Sequence, residues 1–185
     1  MTRSGSDPRI LVAGIGNIFL GDDGFGVEVA QSLLPCTLPE NVQVRDFGIR
    51  AFDLAHALLD RWDAVILVDA LSRGDKPGTL FVLEPDLSFL GDPAVTPAMD
   101  LNPHGMDPMR VLNVAASMGA IAARILLVGC EPNDFGDELE GRMGLSVRVQ
   151  PAVEEASNTV EEVAGRVLAE SKVSLTQLQA TEVVL

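Results

Sequence analysis

Tyrosine is absent from this 185-residue chain, tryptophan occurs once (Trp62) and cysteine twice (Cys36 and Cys130). Two cysteines are too few for a disulfide framework or a closed zinc site, and they fit a reducing cytoplasm. Basic residues are scarce: 13 Lys and Arg stand against 27 Asp and Glu, a formal net charge of -14. That charge repels a phosphate backbone and argues against a nucleic-acid partner. No apolar run approaches the ~18 residues of a membrane span. Residues 1–8 lack the apolar core of a secretory signal and read as a disordered tail. Equally missing are the Gly-Lys-Ser/Thr of a phosphate-binding loop, the Gly-x-Ser-x-Gly nucleophile elbow and a local metal signature such as His-Glu-x-x-His. What remains is an ordinary balance of 47% hydrophobic and 22% charged residues, enough for one full core.

The pattern along the chain alternates between strand and helix. A β-branched run at 9–14 stops at Gly14-x-Gly16-Asn17 and leads to a helix over about 24–34, which Pro35 and Pro39 end. A second strand at 42–46 runs into the Phe47-Gly48 turn, followed by a helix at 51–59 with Phe52, Ala55, Leu58 and Leu59 expected on its buried face. The third strand, 64–68, ends in Asp69, and the fourth begins at Thr79. A gap this short cannot hold a parallel crossover, which needs a dozen or more residues, so the fourth strand is expected to be antiparallel. A proline-marked irregular segment carries His104 and precedes a helix at 107–118, a fifth strand at 124–129, an acidic Gly-rich loop and a last helix at about 151–170. Residues 171–185 show no clear period and read as a C-terminal tail. The chain is thus read as one α/β domain over residues 9–170: three layers, a twisted, mostly parallel sheet of about five strands, and helices on both faces.

Ligands of open α/β sheets sit at the loops leaving the carboxyl ends of strands. Asp22 and Asp23 follow the first strand, and Asp69 ends an otherwise wholly apolar one, where a carboxylate is costly unless something uses it. The plainer alternatives are helix capping for Asp22 or Asp23 and a cap on the Ser72-Arg73-Gly74 turn for Asp69. His104 sits in a loop just ahead of a helix, whereas His56 lies within a helix and is read as structural. Asp46 either serves the site or caps a turn, and Cys130 reads as a small buried thiol. Asp23, Asp69 and His104 together offer two oxygens and one imidazole nitrogen, a set that suits a borderline divalent metal with open positions. Asp22 is expected to act locally, accepting backbone N–H groups at the start of the following helix. Dinucleotide binding is the rival reading of the first loop, but Phe19 stands where a third glycine is needed and the two acids repel a pyrophosphate. Asp46-Phe47-Gly48 imitates a kinase triplet in a chain too short to be a kinase.

From about residue 9 to 168 these motifs resemble the hydrogenase maturation endopeptidases, which process the large subunit of nickel-iron hydrogenases. GIGNIFLGDDGFG, VILVDA and NPHGMDPMRVL resemble three ordered signatures of that family, with LLVGCEP and MGLS following in the family's order. The resemblance implies a twisted sheet of about five strands with helices on both faces. It also implies that Asp23, Asp69 and His104 contact a metal and carry catalysis. The implied partner is the large-subunit precursor, whose C-terminal extension is removed after nickel insertion. Nickel would then be carried by the substrate, with no tightly bound metal of the enzyme's own. Two features depart from the pattern. Some members have Glu where Asp23 stands, and the usual Gly-Gly-Thr turn is replaced by Asp46-Phe47-Gly48-Ile49-Arg50, whose Arg50 is a cation suited to reading a substrate carboxylate. A non-cleaving nickel-dependent checkpoint or chaperone would use the same three residues, and a nucleotide- or flavin-binding module is the remaining alternative.

Overall fold

The computed structural model describes residues 8–88, 90, 108–119, 124–136 and 139–182, with the side chains of the last helix described to residue 171. Five strands form one sheet: β1 (Ile10–Ile15), β2 (Val42–Gly48), β3 (Ala64–Ala70), β4 (Leu80–Leu83) and β5 (Arg124–Cys130). Their spatial order is β2-β1-β3-β5-β4. β1 pairs in parallel with β2 and β3, β3 pairs in parallel with β5, and β4 runs antiparallel along β5, with Leu80 opposite Cys130. The antiparallel fourth strand is therefore as expected, and it forms one edge. Among the described residues the helices are α1 (Phe25–Leu33), α2 (Ala51–Ala57), α3 (Pro108–Ser117) and α4 (Ala152–Glu182), with a 3-10 turn at Gly21–Gly24. None is long and apolar enough to cross a membrane.

Alternation along β1 and β3 divides the core. Ile10, Val12, Ile66 and Val68 pack with α1 and α4, while Leu11, Ala13, Ile15, Val65 and Leu67 pack with α2 and α3. Every residue of β1 and β3 is buried, as expected of central parallel strands covered on both faces. Helix α1 can approach these strands closely because Gly26 has no side chain. A Cβ there would lie 2.0 Å from the Val68 carbonyl oxygen and 2.4 Å from that of Ile15. Consecutive strands β1 and β2 lie on one side of the next connection and β3 on the other, so the direction of winding reverses between β1 and β3. A crevice opens at the carboxyl ends of those two strands, the position at which open α/β sheets bind ligands.

Two expectations about helices need correction. Phe52 does not face the core: it is 82% exposed, and α2 buries Leu54, Ala55 and Ala57 instead. With Phe52 on the apolar face, the 51–59 pattern rotates the helix away from the Leu54–Ala55–Leu58 seam that fits the sheet. Helix α4 also continues to Glu182, well past the point where apolar periodicity fades near residue 170. A polar helical stretch keeps its backbone hydrogen bonds without an apolar stripe, so hydrophobic period alone ends it too early.

Candidate active site

Three loops meet at the carboxyl end of the sheet: the β1–α1 loop with Asp22 and Asp23, the β3–β4 loop that follows Asp69 and Ala70 at the end of β3, and the β5–α4 loop that begins at Glu131. The 3-10 turn Gly21–Gly24 lies against the end of β3, which brings the loop of Asp23 and the end of the Asp69 strand to the same crevice. Asp69 is buried (4% exposed), and its Oδ1 accepts the Ala70 amide at 2.8 Å. His104 lies outside the described residues. Among the described residues, no group of three His, Cys, Asp or Glu side chains is arranged to hold a metal ion.

Asp23 does not cap α1. The helix starts at Phe25 after Gly24, with no side-chain cap. The Asp23 carboxylate instead turns back on its own loop, where Oδ2 accepts the Asn17 amide at 2.7 Å. Gly16 makes this fold-back possible: its φ is +128°, and a Cβ at this position would lie 1.7 Å from the Asp23 carbonyl oxygen. The glycines of the Gly-x-Gly turn thus serve close internal packing. Burial raises the pKa of Asp23 above its ordinary value, and the Asn17 amide offsets part of that rise. A half-buried carboxylate with one oxygen anchored and a raised pKa is suited either to a metal or to accepting a proton.

Asp22 departs from expectation. It does not accept amides at the start of α1, and it is 0% exposed. Its Oδ1 accepts the Ser146 amide at 2.6 Å, and its Oδ2 accepts the Ser146 hydroxyl at 2.9 Å and the Asn133 and Asp134 amides at 2.9 and 3.0 Å. Partners more than a hundred positions away leave no local spacing to read, so the sequence offers a second acid but not its use.

Glu131 is the residue that sequence reasoning missed. It is 4% exposed and accepts the Arg73 amide at 2.7 Å, with the Gly74 amide and the Ser72 hydroxyl each at 3.2 Å. The turn that Asp69 was the alternative candidate to cap is therefore held by Glu131. Burial pushes the Glu131 pKa up, but the amides of Arg73, Gly74 and Asp75 and the Ser72 hydroxyl outweigh it and hold the group below its ordinary value. Its signal was available, because Glu131 follows an apolar strand directly, as Asp69 ends one. Beside it, Cys130 is wholly buried, and burial first, then the charges of Asp22 and Glu131, push its thiol up to about 12. A thiol so protonated is no nucleophile at neutral pH, which fits the buried-thiol reading.

The β2–α2 turn completes the rim. The Gly16 amide donates to the Gly48 carbonyl at 3.1 Å, which sets this turn beside the β1–α1 loop. Arg50 is engaged by its own neighbours: its guanidinium bonds the Asp46 carbonyl and lies 3.9 Å from the Asp46 carboxylate and 3.3 Å from that of Asp53. Its charge is shared with two acids on the same turn.

A family model described as hydrogenase maturation protease matches residues 27–163. The chain belongs to the hydrogenase maturation protease family. The hydrogenase expression/formation protein HupD of Rhizobium leguminosarum is 37% identical over 131 residues, covering 70% of this chain and 62% of that protein. The chain therefore spans less than two thirds of that relative's length. Hydrogenase 2 maturation protease of Escherichia coli is 31% identical over 157 residues, covering 82% of this chain and 88% of that protein. Among solved structures, a hydrogenase 2 maturation peptidase from a Thaumarchaeota archaeon superposes with a TM-score of 0.64 at 31% identity, covering 85% of this chain and 98% of that one. The five-stranded, mostly parallel sheet is thus the fold of hydrogenase maturation proteases. In this member of the family, Asp69 falls within the matched segment 27–163 and Asp23 just before it.

Proposed function

We propose that this protein is the endopeptidase that removes the C-terminal extension of a nickel-iron hydrogenase large-subunit precursor after nickel has been inserted. The observation that carries the reading is the contact between the turn bearing Asp23 and the strand bearing Asp69 at the β1/β3 switch point of a chain from this protease family. Nickel in this reading belongs to the substrate. Asp23, Asp69 and His104 supply two oxygens and one nitrogen toward it, and the open positions of such a set leave room for the cysteine thiolates of the precursor. Nickel so shared holds the precursor chain against the rim. In hydrolysis, water oxygen bonds to the scissile carbonyl carbon, the C–N bond breaks and the departing amine takes up a proton. Asp23 is suited to take a proton from that water, because burial holds its pKa above the ordinary carboxylate value. Localisation in the cytoplasm is part of the same reading.

The deciding experiment incubates the protein with nickel-loaded and nickel-free precursor and weighs the products by mass spectrometry. Loss of the extension from the loaded precursor alone is expected. Stable complex formation without a shortened product would replace the endopeptidase with a non-cleaving checkpoint, and cutting of the nickel-free precursor would remove nickel recognition from the mechanism.

A further inference from the structure

Asp22 has a use that neither the site nor the family relation assigns. The turn preceding Asp23 is joined to the β5–α4 loop by backbone bonds on one side: Arg142 N–H donates to Phe19 O at 2.8 Å, Gly21 N–H to Arg142 O at 2.7 Å, and Asp22 N–H to Asp134 O at 3.2 Å. Inside this junction lies the Asp22 carboxylate, fully buried, with four donors from Asn133, Asp134 and Ser146. An Arg142–Asp134 ion pair at 2.6 Å closes the outer surface of the same loop. On the other side the turn is pinned by Gly16, which permits no side chain against the Asp23 carbonyl, and by the Asn17 amide on the Asp23 carboxylate. Asp23 therefore stands on a turn held from two directions, and in one of them the buried carboxylate of its neighbour Asp22 does the holding from within. A buried carboxylate with four donors is strongly bound to its position, because losing it would strand those donors away from water.

We propose that Asp22 is a positioning residue for Asp23: by tying Asn133, Asp134 and Ser146 to the turn at 19–22, its carboxylate fixes the orientation in which Asp23 meets the substrate. The catalytic part of this inference rests on the endopeptidase reading; the positional part does not. Adjacent acids then divide the work, one facing inward to hold the loops and one facing the crevice.

The test uses two variants of the full chain. Ser146→Ala removes one donor and leaves the carboxylate in place; Asp22→Asn removes the charge and keeps the shape. Hydrogen exchange is followed at the Asn17 amide, which reports the Asp23 contact, and at the amides of residues 65–68 in β3 as the reference for global stability. We expect Asn17 exchange to rise about tenfold in both folded variants with β3 unchanged. On nickel-loaded precursor, kcat should fall about tenfold with KM little altered. Should Asp22→Asn fail to fold, Ser146→Ala alone decides. Parental exchange at Asn17, or equal acceleration at every amide, overturns the inference. If the parent protein does not cut the precursor, the endopeptidase reading fails while the exchange measurement still decides the role of Asp22.

Discussion

At positions 22 and 23 the same side chain does opposite things because burial and partners differ. Asp22 has its hydrogen-bonding capacity filled by a distant loop, whereas the Asp23 carboxylate is anchored on its own loop through Oδ2. Asp23 also carries an electrostatic cost. Burial raises its pKa, and a carboxyl whose folded pKa exceeds its unfolded value, near ~3.9, favours the native state only below that unfolded value. The contribution is lost as pH rises through the folded pKa, so at pH 7 ionised Asp23 burdens the fold. Asp23→Asn should therefore melt no lower than the parent at pH 7, with any advantage shrinking toward pH 4, while cleavage of nickel-loaded precursor falls about 10²–10⁴-fold. Thermal melting at both pH values, together with mass-spectrometric cleavage, checks both halves. A variant that loses stability at pH 7 would contradict the burial argument. Asp69→Asn should lose activity to a similar degree, since a carboxylate near the end of a buried strand is rigidly held and, on the proposed reading, fixes the position of the metal. His56→Ala should cut at the parental rate, because His56 is exposed on α2, and a damaged His56→Ala would reveal a site extending over that helix.

Among the elements, the close seating of α1 on β1 and β3 decides whether the turn bearing Asp23 and the end of the strand bearing Asp69 share a crevice. Gly26→Ala would drive a methyl group toward the Val68 and Ile15 carbonyl oxygens, so α1 would have to lift from the sheet. Overpacking of this kind costs about 1–3 kcal/mol or more. A drop in melting temperature accompanied by loss of cleavage is expected, and a Gly26→Ala protein that melts and cuts like the parent would show that α1 has slack. The strands were legible in the sequence because each is a short run of apolar or alternating residues bounded by glycine, proline or acid, and the antiparallel β4 followed from a connection too short for a crossover. Asp69 was legible for the same reason, as a charge closing an apolar run. Glu131 carried the same signal and was passed over, while the uses of Asp22 and Glu131 were not legible, since their partners at 133, 134 and 146, and at 72–74, are set by tertiary contact and not by spacing. Phe52 misled because an aromatic at helical period mimics a core residue even when the helix turns it outward.

For the molecule as a whole, the proposed donor set of Asp23, Asp69 and His104 would require the protein and its substrate each to bring part of the metal's coordination. Two carboxylates and an imidazole are hard or borderline ligands that leave several nickel positions to water, and water is a weak competitor for the thiolates of a precursor. The net charge of -14 draws divalent cations toward the surface in general, but diffuse attraction does not close a coordination sphere. The isolated protein should consequently bind Ni²⁺ with a Kd no tighter than about 1 µM, or ~8 kcal/mol, and be purified active without stoichiometric metal. Titration calorimetry with Ni²⁺ on the parent and on His104→Ala is the measurement. A weak binding isotherm in the parent that disappears in His104→Ala, with the melting temperature of the variant unchanged, is the expected result. Tight stoichiometric metal in purified, active protein would instead describe an ordinary metalloprotease, in which the ion belongs to the enzyme and cleavage no longer needs nickel in the precursor.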